Sequence, residues 1–335
     1  MVPLLTRALV VLNCCVLGCL EATCADLQLG DRTRLSFATV AQARALLSER
    51  DDFVRRLGPF DRSARLKTER SIDEVAYLAF ASDQAIEWTA DEQSSMAVAL
   101  EQVRSKLISL NLNWPDEVTL IKTTGREEGN AAYTRGASII FPEKRLHSLR
   151  GDLPALLCHE LFHVLSRHDR ALRERLYDAI GFRSCPELGL PDSLRERRLT
   201  NPDGSANDHC IKITVADREQ WAIPILYSKG EYDESRGGEF FDYLVFQFIV
   251  IDPPATATPT PQQQSHAKLV DGQPILVEPR DAVGFMEQIG RNTNYIIHPD
   301  EVLADNFVLI ATEGTKVVSP EILSRIESIL KASPR

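Results

Sequence analysis

The chain has 335 residues, of which 44% are hydrophobic, so it can bury the core of one large domain or two modest ones. Its formal net charge is −10, and no cluster of Lys and Arg stands out along the chain. A phosphate-binding surface needs clustered cations, so we expect no nucleic acid among the partners.

The first 25 residues have the pattern of an export signal. One cation, Arg7, precedes an apolar run from Ala8 to Leu20 that is short for a membrane span. Cleavage after Ala25 is one interpretation. The other is that "VLGC" resembles a lipoprotein box in which Cys19 carries the lipid. We therefore expect residues 26–335 to be one domain, periplasmic or secreted, whose sole link to a membrane would be a lipid at Cys19.

The part of the chain after the signal is predicted to be helical over residues 35–112. Apolar periodicity and possible caps at Thr89 or Asp91 indicate helices over residues 37–57, 72–88 and 91–110. Strands are then predicted from Val118 to Lys122 and in "YTRGASIIFP", which ends at Pro142. This second strand is either an edge along which an extended peptide could dock or an ordinary strand of a sheet.

Helices and strands alternate irregularly in the remainder of the chain. A helix over residues 152–168 is followed by one that ends at Gly181, and then by an inserted region of strands and loops over residues 183–280. That region contains a Pro/Thr/Gln-rich linker, "PPATATPTPQQQS". Helices follow at about 281–290, 299–312 and 319–331. The order predicts an α+β fold without regular βαβ units.

Three cysteines lie beyond the export signal. Cys185 and Cys210 flank a polar loop, and in an oxidising compartment they are either joined in a disulfide or present as two separate thiols. Cys158 lies within the apolar helix and is expected to be a small buried side chain, not a nucleophile.

The chemistry is concentrated in "PALLCHELFHVLSRHD", a mostly apolar stretch that contains His159, Glu160 and His163. Polar side chains in a core are costly unless they are paired. On a helix, residues four apart share a face, so both imidazoles can bind one ion. Zn²⁺ acidifies a bound water, and a carboxylate at Glu160 is placed to take its proton. We therefore expect a zinc site here.

A third protein ligand is needed, and "HPDEVLAD" offers the best candidate. Glu301 and Asp305 are one turn apart, so Glu301 can bind the metal while Asp305 orients a ligating histidine. Asp300 is expected to be a solvated charge at the start of this helix. The alternatives for the third ligand are Asp169, six residues after His163, and Glu239 in "GGEFF". Asp169 would require a tight turn at Ser166, a position that favours glycine.

Together, "HELFH" and "EVLAD" resemble the HExxH…ExxxD pattern of the gluzincin metallopeptidases. The resemblance implies a zincin-like domain with the HExxH helix packed on a mixed or antiparallel sheet. It also implies that His159, His163 and Glu301 are the zinc ligands and that Glu160 is the general base. Asp305 would orient a ligand without binding the metal itself. The expected function is hydrolysis of peptide bonds by a zinc-activated water, with a peptide or protein as substrate.

The tetrahedral oxyanion of that reaction needs a further hydrogen-bond donor. Tyr295, shortly before Glu301, is the first candidate, and Tyr232, His209 and His298 are others. Two other functions stay open from the sequence. One is a zinc-binding interaction protein that has lost activity, although its retained Glu160 would then have no purpose. The other is a zinc hydrolase of a non-peptide substrate.

Overall fold

The computed structural model describes residues 26–148, 152–253 and 263–332. The helices are α1 (Val40–Leu47), α2 (Asp52–Arg56), α3 (Pro59–Arg65), α4 (Glu74–Ser82), α5 (Ala90–Ser109), α6 (Glu143–Ser148), α7 (Leu153–His168), α8 (Arg170–Ala179), α9 (Asp192–Arg195), α10 (Phe285–Ile289), α11 (Pro299–Ala311) and α12 (Pro320–Lys331). The strands are β1 (Leu27–Gln28), β2 (Arg34–Phe37), β3 (Glu117–Thr123), β4 (Tyr133–Arg135), β5 (Ser138–Pro142), β6 (Phe182–Ser184), β7 (Leu188–Gly189), β8 (His209–Val215), β9 (Arg218–Ser228), β10 (Leu244–Ile251), β11 (Ser265–His266), β12 (Leu269–Val270), β13 (Gln273–Pro274) and β14 (Leu276–Val277). The predicted α+β class is confirmed.

Two five-stranded sheets form the frame of the molecule. The first is mixed and has the order β1-β2-β3-β5-β4, with β2, β3 and β5 parallel and β4 antiparallel at one edge. The second has the order β14-β10-β9-β8-β6 and is antiparallel throughout. It is built by the region predicted as an insertion, so that region supplies a sheet of its own.

Helix α7 is central because it is apolar on almost every side. Leu157, Leu161 and Leu165 are fully buried, and the helix packs against α5, α11, the edge strand β4 and its neighbour β5. A helix that is apolar all round has to lie inside a protein. The predicted packing of the HExxH helix on a mixed sheet is therefore found. Pro154 lies in the first turn of the helix, where a backbone N–H would have no partner within the helix. The missing N–H of proline therefore costs no hydrogen bond.

The predicted N-terminal helix over residues 37–57 is wrong in its bounds. Phe37 ends strand β2, and two helices, α1 and α2, replace the single one. Asp51 separates them because its side chain accepts a hydrogen bond from Val54 N–H, at 2.9 Å, and so starts a new helix. The following segment, predicted to be irregular, contains α3. Residues 35–112 therefore contain the end of β2 and the helices α1 to α5, which are joined by turns and short irregular segments.

A buried ion pair joins α3 to the segment that precedes the edge strand. The guanidinium of Arg65 lies 2.8 Å from Asp61 and donates to the Glu128 carboxylate, also at 2.8 Å. It donates further to the carbonyl oxygen of Thr200 at 2.9 Å. Both Arg65 and Glu128 are almost completely buried. Burial raises the pKa of Glu128, to about 7, although the positive charge of Arg65 opposes the shift.

The cysteines of the second sheet are thiols in contact. Cys185 and Cys210 are both buried in one apolar cluster, and the two side chains share a hydrogen bond. Their disulfide stays a prediction. They also mark the two ends of a mostly irregular segment, residues 186–208, that contains the short elements β7 and α9. Cys158 is buried, as expected, and burial raises its pKa to about 12, which leaves it unreactive.

Two sequence predictions concern residues outside the described ranges. The export signal, with its alternatives at Ala25 and Cys19, lies outside them, and so does most of the Pro/Thr/Gln-rich linker. Within the described part of the chain, no helix combines the length and the apolarity needed to cross a bilayer.

Candidate metal centre

The candidate site lies where α7 and α11 pack side by side. Their contact brings His159 and His163, one turn apart on α7, against Glu301 in the first turn of α11. The two imidazole rings are 4.8 Å apart between centroids. His163 and Glu301 are buried, and His159 is 17% exposed toward a cleft. Residues separated by about 140 positions in sequence thus form one cluster.

The three side chains present ligand atoms at the spacing of a zinc site. Nε2 of His159 lies 3.1 Å from Oε2 of Glu301, and Nε2 of His163 lies 3.4 Å from the same oxygen. Tetrahedral ligands bound to zinc at 2.0–2.1 Å are about 3.3 Å apart. Nε2 of His163 is buried and has no hydrogen-bond partner in the described structure. An uncompensated buried nitrogen in this position fits a metal ligand.

Each histidine is held from behind by a carboxylate of α11. Nδ1 of His159 lies 3.0 Å from Asp305, and Nδ1 of His163 lies 2.7 Å from Asp300. An ionised carboxylate can only accept, so each Nδ1 carries the proton and each Nε2 keeps its lone pair for a cation. Asp305, half-buried, is itself held by a short hydrogen bond from Thr293. The orienting position predicted for Asp305 is therefore found.

Asp300 is not the solvated charge that the sequence suggested. Its side chain is buried and accepts hydrogen bonds from Ser166, at 2.5 Å, and from Tyr177, at 2.8 Å, besides its contact with His163. Burial raises the pKa of Asp300, but the hydrogen bond and the charge of His163, with smaller contributions from His298 and Ser166, outweigh burial and lower the pKa. The sequence did contain one indication that Asp300 has a buried partner, because Ser166 is a polar residue on the buried face of an apolar helix.

We expect Asp300→Asn to weaken zinc binding by about 10- to 100-fold, as the loss of a carboxylate behind a metal ligand does elsewhere. An amide has the shape of the carboxylate but no charge, and its NH₂ cannot accept the proton of His163. Asp305→Asn is the matched variant for His159 and should fall in the same range. Competition with a zinc chelator measures both, and unchanged affinity in Asp300→Asn would refute the assigned role.

Glu160 lies beside the ligands without belonging to their set. It is 2% exposed, and its Oε2 is buried without a hydrogen-bond partner in the described residues. Burial raises its pKa to about 8, and the negative charge of Asp203 adds to the shift. A carboxyl group with a free oxygen and a raised pKa is suited to carrying a proton.

Two functional residues that the sequence reading missed come from the loop between the cysteines. Asn201 donates from Nδ2 to Oε1 of Glu301 at 2.5 Å, which leaves Oε2 directed at the histidines. Asp203 places a carboxylate oxygen within 4.8 Å of ligand-type atoms of both Glu160 and His163. Neither residue lies in a helix or a strand, so no periodic pattern in the sequence predicts that it reaches the site.

Tyr295, the first candidate for the oxyanion donor, lines the same cleft. Its ring stacks on that of His159 with 6.3 Å between centroids, and its backbone N–H donates to Thr293. Desolvation raises the pKa of Tyr295 well above its usual value, and the charges of Glu301 and Asp203 raise it further. The hydroxyl therefore stays protonated and remains a hydrogen-bond donor.

The remaining candidates for the oxyanion donor are engaged elsewhere. His209 lies between Asp208 and Glu174. His298 caps α11 by accepting from the Asp300 N–H, and Tyr232 packs in an apolar cluster with Tyr243.

Neither alternative third ligand lies at the site. Asp169 caps α8, where it accepts from the backbone N–H of Leu172 at 2.9 Å. Glu239 pairs with Lys67 at 2.7 Å, and that pair is partly exposed. Helix α7 ends at Asp169 without the chain turning back toward the histidines, so these two alternatives are wrong and Glu301 is the carboxylate in place.

The surrounding carboxylates give the histidines a high proton affinity. Burial opposes their charged forms, but Asp305 and Glu301 raise the pKa of His159 to about 10. The pKa of His163 is also raised well above its usual value, since Asp203, Glu301 and Asp300 outweigh its burial. His159 is therefore protonated at neutral pH when no cation lies between the two rings, and the charged form of His163 is favoured in the same way.

Zinc binding at pH 7 is accordingly expected to release the proton of His159, together with the share of protons that His163 carries. The pKa of His159 is about 10 and that of His163 is also raised, so the apparent zinc affinity should rise with pH from 6 to 8. Titration calorimetry in buffers of different ionisation enthalpy counts the protons. Binding that releases no protons and is independent of pH would contradict this arrangement.

The cluster opens into a cleft of about 680 Å³. One wall is the segment Gly129–Ala132, directly before the edge strand β4, and the others come from α6, α7 and α11. Strand β4 itself is buried, and the Thr134 N–H on its outer side donates to Asp203 at 2.8 Å. The segment Gly129–Ala132 begins as a turn in which the N–H groups of Asn130 and Ala131 donate to the carbonyl oxygens of Gly125 and Glu128, so it does not extend the free edge of the strand.

In comparison with known proteins, the chain matches no family model, no curated protein and no solved structure. What the site can do follows from its own geometry.

Proposed function

We propose that the protein is an exported zinc-dependent hydrolase of zincin-like fold that cleaves peptide bonds. The observation that carries the proposal is the joint placement of His159, His163 and Glu301 around one point, with Glu160 beside them and unpaired. A purely structural site has no need for the unpaired carboxyl group, because its four ligands close the coordination shell. The resemblance to the gluzincins assigns the same roles.

In this proposal, His159, His163 and Glu301 hold the metal through two Nε2 atoms and one carboxylate oxygen. When bound, zinc would polarise the scissile carbonyl, make the attacking water more acidic, and by its charge keep Glu160 ionised. Glu160 accepts the proton of the water and passes it to the departing amine. The Tyr295 hydroxyl is the donor for the developing oxyanion.

A peptide substrate is supported by the resemblance to the gluzincins and by the size of the cleft. The cleft of about 680 Å³ is lined by His159, Glu160 and Glu301 and can hold an extended chain beside them. Its wall Gly129–Ala132 begins as a turn with hydrogen bonds of its own, so peptide binding does not depend on pairing with this segment.

Metal analysis and a peptide-library screen test the proposal on the mature protein. We expect about one zinc per chain and cleavage of peptides that stops with a chelator and returns with zinc. A protein that binds one zinc but cleaves no peptide would favour the zinc-binding or non-peptide alternatives. A protein that binds no zinc would refute the site.

A further inference from the structure

The carboxylate of Asp203 closes one end of the cleft. Its Oδ1 accepts from the Thr134 N–H at 2.8 Å and lies 3.3 Å from the guanidinium of Arg167, near the C-terminal end of α7. Asp203 therefore occupies the outer side of β4 at Thr134, and a chain bound in the cleft cannot pair with the strand there. The neighbouring Oε2 of Glu160 is buried without a partner, so this end of the cleft retains unmet capacity to accept hydrogen bonds.

The separation between Asp203 and the candidate site is short enough for Asp203 to bind the α-ammonium group of a peptide whose first carbonyl carbon is attacked. Across standard backbone bonds, an α-nitrogen lies about 2.5 Å from the carbonyl carbon of its own residue. A carboxylate that binds this nitrogen at about 2.8 Å therefore lies about 5 Å or less from the carbon under attack. Asp203 has an oxygen within 4.8 Å of both the Glu160 carboxylate and the His163 ring nitrogen.

We propose that Asp203 binds the free α-ammonium group of the substrate, so that the protein is an aminopeptidase that removes the first residue of a peptide. This inference rests on the proposed function. Water adds across the first peptide bond: its oxygen bonds to the carbonyl carbon, the C–N bond breaks, and Glu160 carries the proton to the leaving nitrogen. The products are one amino acid and a shortened peptide.

The charges at the opposite end of the cleft agree with a substrate whose N-terminus lies at Asp203. Lys144 and Arg145 line the cleft beside the N-terminal end of α7, together with Asp152 and Ala155. A substrate with its ammonium group at Asp203 runs from there toward two cations and the positive end of a helix dipole. That end favours an acidic residue or the terminal carboxylate of a short peptide.

A side recess next to Asp203 suggests which first residue is preferred. It has a volume of about 30 Å³ and its lining includes Leu226, Phe240, Leu244 and Ile297 together with Asp203. The lining is largely apolar and the space is about that of a small aliphatic group. Peptides that begin with Ala or Val are therefore expected to be better substrates than peptides that begin with Lys or Trp.

The first test measures binding without turnover. Alanine hydroxamate and propionohydroxamate are both zinc-binding probes, and they differ in the α-amine. Calorimetry with the zinc-loaded protein should give about 10- to 100-fold tighter binding of the amine-bearing probe, the range for a hydrogen bond to a charged group. Asp203→Asn, which can keep the contact with Thr134, should remove that difference, whereas Asp152→Asn at the other end should leave it intact.

The second test compares peptides with free and acetylated N-termini. We expect cleavage of the free peptides alone, with the first residue released, and a lower kcat/KM for them in Asp203→Asn. Equal binding of the two hydroxamates, or cleavage of acetylated peptides at internal bonds, would overturn the aminopeptidase assignment and leave the zinc peptidase intact. Failure of both probes to bind the zinc-loaded protein would count against the proposed function as a whole.

Discussion

Replacing Glu160 with glutamine is expected to lower the rate of hydrolysis by about 10²- to 10⁴-fold while leaving one zinc per chain in place. Glutamine has the shape of glutamate and fills the same buried space, but its amide cannot accept the proton of the attacking water. Because Glu160 lies beside the ligand set and not in it, the metal should remain. Steady-state kinetics on a free-amine peptide, with zinc content measured on the same sample, give both results.

The matched control is Glu101→Gln, which makes the same chemical change on an exposed side chain of α5. It should leave both rate and zinc content unchanged. If Glu160→Gln retained more than about a tenth of the activity, Glu160 could not be the general base, since that role contributes at least 10²-fold. Unfolding of the metal-free variant should be checked, because the new amide NH₂ is buried.

Removal of Glu301 is expected to have the second large effect. Glu301→Ala takes away the carboxylate that lies 3.1 Å from His159 and 3.4 Å from His163. It should weaken zinc binding by more than about 100-fold, the upper end for residues that only support a ligand, and hydrolysis should disappear with the metal. Chelator competition and metal analysis after dialysis measure the loss.

Asp169→Ala provides the contrast, because Asp169 was the main rival for the third ligand position. Its side chain caps α8, so its removal should cost about 1 kcal/mol of stability and leave the zinc affinity unchanged. If zinc were instead lost in Asp169→Ala and kept in Glu301→Ala, the assignment of the third ligand would have to be reversed.

The site residues that could be predicted from the sequence are those that repeat with the period of a helix. His159 and His163 repeat at one turn on α7, and Glu301 and Asp305 do so on α11. Such spacing predicts a shared face without knowledge of the fold. The α+β class also followed from the order of elements. The zincin-like fold, the zinc and the export signal remain predictions.

The residues that were missed depend on tertiary contacts alone. Asn201 and Asp203 reach the site from an irregular loop, and no spacing rule connects them to α7. Asp300 looked like a helix-start charge because such charges are usually solvated. Its burial follows from the packing of α11 on α7, which the local sequence does not specify. The break at Asp51 was missed for a different reason, because a single capping side chain outweighed the apolar periodicity on both sides of it.

The buried pair of Arg65 and Glu128 has a consequence for how this chain can evolve. Glu128 immediately precedes the cleft wall, and losing Arg65 would cost about 3–5 kcal/mol because the buried carboxylates of Glu128 and Asp61 would be left without their cation. A lineage can therefore change position 65 only together with position 128. An exposed pair such as Arg50 and Glu74 carries no such constraint. Among descendants of a common ancestor, positions 65 and 128 should covary, so that the N-terminal helices and the cleft are inherited as one unit.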